Sequence, residues 1–82
     1  MNATSINPVV LTETRDLPAT VLSLGKHGIR LRVPGKARLN GEVRVGFGSG
    51  LMLLTRVVGR HGDGKVTDVA LKYVAAWARE GR

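Results

Sequence analysis

Ile29-Arg30-Leu31-Arg32-Val33 alternates apolar and basic residues without a fault. A period of two is that of a β-strand, so Ile29, Leu31 and Val33 face a core and Arg30 and Arg32 face away from it. Glu42 to Phe47 repeats the pattern, with Val43, Val45 and Phe47 inward and Arg44 outward. Val9-Val10-Leu11, just after Pro8, reads as a short first strand, and Ala19 to Leu24 as a second, with Arg15-Asp16-Leu17-Pro18 as the turn between them. Leu51 to Arg60 is the longest apolar run. Its period is blurred at Leu53-Leu54 and Val57-Val58, which suits a strand covered on both faces or one carrying a bulge. Val66 to Val74 supplies the last strand. Ala75 to Glu80 holds helix formers and no β-branched residue, which predicts a short C-terminal helix stopped by Gly81, with Trp77 stapling it to the rest.

Turn chemistry punctuates these segments at Gly25–Gly28, Pro34-Gly35, Asn40-Gly41, Gly48-Ser49-Gly50 and His61–Gly64, and Lys36 to Gly41 reads as a loop. Six short strands at this spacing predict an all-β fold: a small six-stranded antiparallel barrel with a short C-terminal helix. The 82 residues suit one domain spanning 1–82. No cysteine is present, which excludes a disulfide scaffold, a thiolate metal site and a cysteine nucleophile. No apolar run approaches the roughly 20 residues of a membrane helix. The first twenty residues lack the basic start and apolar stretch of a signal peptide, so the expectation is a soluble, cytoplasmic protein. A core this small supplies only about 3–5 kcal/mol, which leaves room for support from a partner or a second copy.

Charge changes the picture. The chain is formally +7, and residues 26–60 carry the whole imbalance, with eight cations against Glu42 alone. Six of the eight are arginine, the side chain suited to bidentate contact with phosphate or carboxylate. Arg30 and Arg32 project together, and Arg44 is expected on a neighbouring strand. Three such cations on one face repel one another unless an anion or acidic partner sits among them. The competing explanation is a solvated basic face that only favours solubility.

Little else carries chemistry. Gly46-Phe47-Gly48-Ser49-Gly50 lacks the lysine and following helix of a phosphate-binding loop and reads as a hairpin tip. His27 and His61 lie in different glycine turns, and His61 with Asp63 and Asp68 makes a thin metal set. There is no nucleophile elbow and no paired carboxylate. These features point away from an enzyme and imply no cofactor.

The stretch from Ala19 to Leu31, with Ser23, Gly25, Lys26 and Gly28 in its turn, resembles the second and third strands of a PilZ domain. Leu39 to Val45 resembles the strand that follows that family's Gly-x-x-Val turn, Thr55 to Arg60 its next long strand, and Val69 to Val74 its closing strand. The similarity spans about residues 8–78 as a pattern of strand order. It implies a six-stranded barrel, usually with a terminal helix. Members that bind cyclic di-GMP carry Arg-x-x-x-Arg ahead of the first strand and an Asp/Asn-x-Ser-x-x-Gly motif. Here residues 1–8 hold no arginine, Ser23 stands in place of Asp or Asn, Gly25 in place of Ser, and only Gly28 is kept. The resemblance therefore implies a non-catalytic signalling or adaptor module that has lost or weakened cyclic di-GMP binding. Its partner would be a protein engaged through the basic middle segment, with Arg30, Arg32, Arg44, Lys26, Ser23 and Gly28 as the candidate contacts.

Met52 to Gly59 also resembles the opening strand of the small CsrA-type RNA-binding regulators, but it lies mid-chain and the following strands do not fit. Nucleic-acid binding stays open on charge. The chain's three aromatics are few for a base-stacking platform. A cyclic di-GMP receptor with a non-standard site is the remaining alternative.

Overall fold

The computed structural model describes residues 8–12 and 15–78. Seven strands make one antiparallel sheet: β1 (Val9–Leu11), β2 (Asp16–Pro18), β3 (Thr20–Leu24), β4 (Gly28–Pro34), β5 (Glu42–Gly46), β6 (Leu51–Gly62) and β7 (Val66–Ala78). Their order is β2-β1-β5-β6-β7-β4-β3. The sheet curls into a half-barrel. Its two outermost strands, β2 and β3, are consecutive in the chain and separated by Ala19 alone. The Ala19 amide donates to the Pro8 carbonyl at 3.0 Å, which extends the β1–β2 pairing up to the bend.

The alternation in β4 and β5 is realised. Ile29, Leu31 and Val33 are buried with Val43 and Val45, while Arg30, Arg32 and Arg44 are exposed. Val10, Leu17, Val69 and Leu71 complete the interior with Leu53 and Leu39. Burying each such side chain contributes about 1.5–3 kcal/mol relative to exposure. Thr55 and Thr67 are buried polar residues, and the Thr55 hydroxyl is satisfied by donating to the Val43 carbonyl at 2.7 Å.

The blurred period of β6 has two causes. Met52 and Leu53 are both buried, one on each face. Val58 is the extra residue of a bulge, since Val57 pairs with Leu71 and Gly59 with Ala70. A second bulge places Val74 between the Tyr73–Thr55 and Ala75–Leu54 pairs. Each bulge reverses which face the following residues take.

Two expectations are corrected, and with the first of them the strand count becomes seven where six were expected. Residues 15–18 were expected as a turn, but Asp16–Pro18 is β2, paired with Val9–Leu11. The reversal comes earlier, where the Thr12 amide donates to the Arg15 carbonyl at 3.0 Å. Pro18, which lacks an N–H, is tolerated because β2 is an outermost strand. In place of the terminal helix, Ala75–Ala78 continues β7, paired residue by residue with Leu51–Leu54. A helix of so few residues has a costly nucleus, whereas β6 offers a ready hydrogen-bonding ladder that overrides alanine's helix preference. Residues 79–82, where the rest of that helix was expected, lie outside the described residues. Trp77 accordingly staples no helix; it stands on the outer face opposite Met52. No helix among the described residues is long and apolar enough to cross a membrane.

Candidate binding surface

Strand order decides which cations meet. β4 and β5 are consecutive in sequence, yet β7 and β6 lie between them. Arg44 is therefore not beside Arg30 and Arg32, as had been expected. Three strand spacings separate them, roughly 14 Å, and Arg44 pairs with Leu11 and Leu54. Periodicity gives the face of a residue but not the order of its strand, so nothing in the sequence signalled this.

On the outer face, three rows run from β4 across β7 to β6. The first is Arg32, Asp68 and His61. Arg32 donates to Asp68 through Nε (2.8 Å) and Nη2 (3.0 Å), a two-pronged pair. The hydrogen bonds and charge of Arg32 hold the Asp68 carboxyl below the usual range, and Asp68 in turn raises the guanidinium. The second row is Arg30, Ala70 and Gly59. Two minimal side chains there leave a flat floor beside Arg30, continuous with a shallow hollow of about 230 Å³ that Arg60, His61 and Asp68 also line. The third row is Gly28, Lys72 and Arg56. Beyond it Arg56 reaches Glu42 at 3.5 Å. Arg30 and Lys72 have no ion pair among the described residues.

Ser23 pairs with Arg30 across β3 and β4, so these two candidates stand side by side. Lys26 is exposed in the β3–β4 turn. Gly28 is fixed by close packing: a Cβ there would lie 2.2 Å from the Leu71 carbonyl oxygen. The structure thus gathers Arg30, Arg32, Ser23, Gly28 and Lys26 along β3–β4 and leaves Arg44 apart. Lys72 joins them, and sequence reasoning missed it because the β4–β7 register is invisible in the pattern.

Arg56 and Arg60 face opposite ways, since the Val58 bulge falls between them. Arg60 turns to the 35–41 loop and donates to the Leu39 carbonyl (3.0 Å) and to Asn40 Oδ1 (3.1 Å). Asp63 accepts the amides of Lys65 (2.9 Å) and Val66 (3.1 Å), which holds its carboxyl below the ordinary range. The carboxylates near His61 are thus already engaged, and no group of three or more His, Cys, Asp or Glu among the described residues is placed to hold a metal.

No protein-family model, curated protein or solved structure matches the chain.

Proposed function

We infer that this chain is a non-catalytic adaptor module of PilZ type whose partner is an acidic protein segment bound on the outer face of β4, β7 and β6. One observation carries the reading. Arg30 and Lys72 lie on adjacent strands with no carboxylate in ion-pair contact among the described residues, beside the flat floor of Ala70 and Gly59, whereas Arg32 and Arg56 are already paired and the nearby Asp68 is held by Arg32. A cation outside any ion-pair contact and beside small side chains offers an acidic segment both charge and close approach. The PilZ comparison supports the module class. Counting β2 and β3 as one strand bent at Ala19 gives the six strands of that family, and Ser23, Gly25 and Gly28 fall around the β3–β4 turn. The altered Ser23 and Gly25 favour loss of the nucleotide.

The test is a pair of titrations from about 50 to 200 mM salt, one with a ten-residue glutamate-rich peptide and one with a single-stranded RNA. The peptide is expected to bind and to lose about fivefold or more affinity on Arg30→Glu with Lys72→Glu. Cyclic di-GMP is expected to give no saturable heat at micromolar concentration. An RNA isotherm with a log–log salt slope of about −3 to −4, abolished by the same substitutions, would overturn the reading in favour of nucleic acid. A saturable cyclic di-GMP heat abolished by Arg30→Glu would do so in favour of a nucleotide receptor.

A further inference from the structure

β7 runs to Ala78, but its neighbour β4 begins only at Gly28, opposite Lys72. The last bond on that side is from the Tyr73 amide to the His27 carbonyl, 3.1 Å. Beyond it, the edge of Val74–Ala78 that faces away from β6 has no backbone partner among the described residues. These five residues span about 17 Å of unpaired strand. Inside this gap the interior is open. A groove of about 540 Å³ is lined by Val21, Leu24, Phe47, Leu53, Tyr73 and Ala76, with Thr20 and Leu51 at its margin. Val21 and Leu24 pair opposite the buried Leu31 and Ile29 and so take the inner face, yet Leu24 is 70% exposed. These are core positions of a sheet that lacks one strand segment.

We propose that the gap beyond β4 is a docking site for an extended peptide segment of a partner protein, added as a strand along the Val74–Ala78 edge. Its alternate side chains would be large and apolar and would enter the groove, and an acidic residue would flank them at the end nearest Lys26. Each feature follows from the site. The unpaired edge supplies main-chain donors and acceptors to an incoming strand, and the groove accepts every second side chain. No lining residue is charged, and the turn that ends the gap contributes Lys26 within a chain of net +7. A second copy fits badly. Pairing two β7 edges antiparallel would aim only Ala76 and Ala78 at the groove, leaving most of it unfilled, and would bring two +7 chains together. This inference does not rest on the outer-face reading, whose substitutions lie elsewhere.

The test pans a display library of nine-residue peptides against the immobilised full chain, then titrates the synthetic form of the most enriched sequence. Enriched sequences are expected to place large apolar residues at alternate positions, with Asp or Glu at one flank. The bound peptide is expected to slow amide exchange in Val74–Ala78. Affinity is expected to fall about tenfold or more on Leu24→Glu, a 70% exposed position whose replacement is expected to leave the fold intact, and on N-methylation of alternate peptide amides. Lys26→Glu is expected to weaken the acidic-flanked peptide and spare an uncharged one. Several results would overturn the proposal: no enrichment, or apolar spacing of helical period; binding indifferent to Leu24→Glu; a dimer in sedimentation that Ala76→Glu dissolves; binding only after removal of residues 1–7; or displacement of the peptide by oleate, which assigns the groove to an acyl chain.

Discussion

The two ends of the curled sheet solve the same problem in opposite ways. At the β6–β7 hairpin end, the chain plugs its own interior. Leu39, from the 35–41 loop, is buried in the core cluster, and polar ties hold that loop in place. The Thr67 hydroxyl donates to the Gly35 carbonyl at 2.7 Å and accepts the Ala37 amide at 3.2 Å. The Gly35 amide donates to the Lys65 carbonyl at 2.7 Å, and Arg60 bonds the far side of the loop. At the other end the described residues provide no such plug, and apolar inner-face positions stand open. A curled sheet needs both ends covered to complete its core. One cover is built in, and the other is left for an incoming chain.

Substitutions can break this contrast, and the largest effect is expected at its boundary. Gly28 starts β4 and so sets where the gap begins. Gly28→Ala would push a methyl group into the Leu71 carbonyl, 2.2 Å away, and neither backbone can yield without parting β4 from β7. A loss of about 3 kcal/mol or more is expected in urea unfolding; a loss under about 1 kcal/mol would show that the two strands separate easily.

A matched pair of variants sharpens the contrast. Thr67→Val at the plugged end removes one hydroxyl that serves two hydrogen bonds at a buried site, with an expected cost of about 1–3 kcal/mol. Leu24→Ser at the open end removes an exposed side chain, with an expected change within about 0.5 kcal/mol. Equal costs in equilibrium denaturation would remove the distinction.

The smallest effect is that of acid. Asp63 and Asp68 both serve the hairpin end, and both carboxyls are held below their ordinary range in the folded chain, by amide hydrogen bonds and by Arg32 respectively. A lowered folded pKa gives stability that is present above the unfolded value, near 4, and is lost as pH falls through the folded value. Melting temperature is therefore expected to drop below about pH 4, with a shallower drop in Asp63→Asn. An identical acid profile in that variant would mean the turn carboxylate contributes nothing.

Much of the sheet was legible in the chain, and the limits of that reading have particular causes. β4 and β5 announced themselves because each has one wet face, and the period of two survives wherever that holds. β2 was hidden because its three residues look like the turn they adjoin. The end of β7 was hidden because alanine's helix preference is weak beside a paired neighbour. Of the candidate surface, the exposure of Arg30, Arg32 and Arg44 was readable, whereas the engagement of Arg32 by Asp68 and the isolation of Arg44 depend on strand order. The groove was wholly illegible. Val21 and Leu24 read only as residues of a strand and Phe47 as an inward one, and only the unequal lengths of β4 and β7 leave them uncovered.

The single-residue link at Ala19 has a consequence for how the chain assembles. β5, β6 and β7 form a meander with short turns, so its contacts are local. The N-terminal part joins that meander from both sides: Val9 meets Gly46 and Gly28 meets Lys72, pairings that each close a long loop. Loop closure costs entropy before such contacts return any free energy, which makes these pairings slow relative to hairpins. Because Asp16–Pro18 pairs with β1 and Thr20–Leu24 with β4, the two long loops are not independent: seating β1 on β5 brings β4, through the Ala19 link, toward β7. The sheet's curl is therefore a kinetic coupling as well as a shape, turning two long-range searches into a shared one.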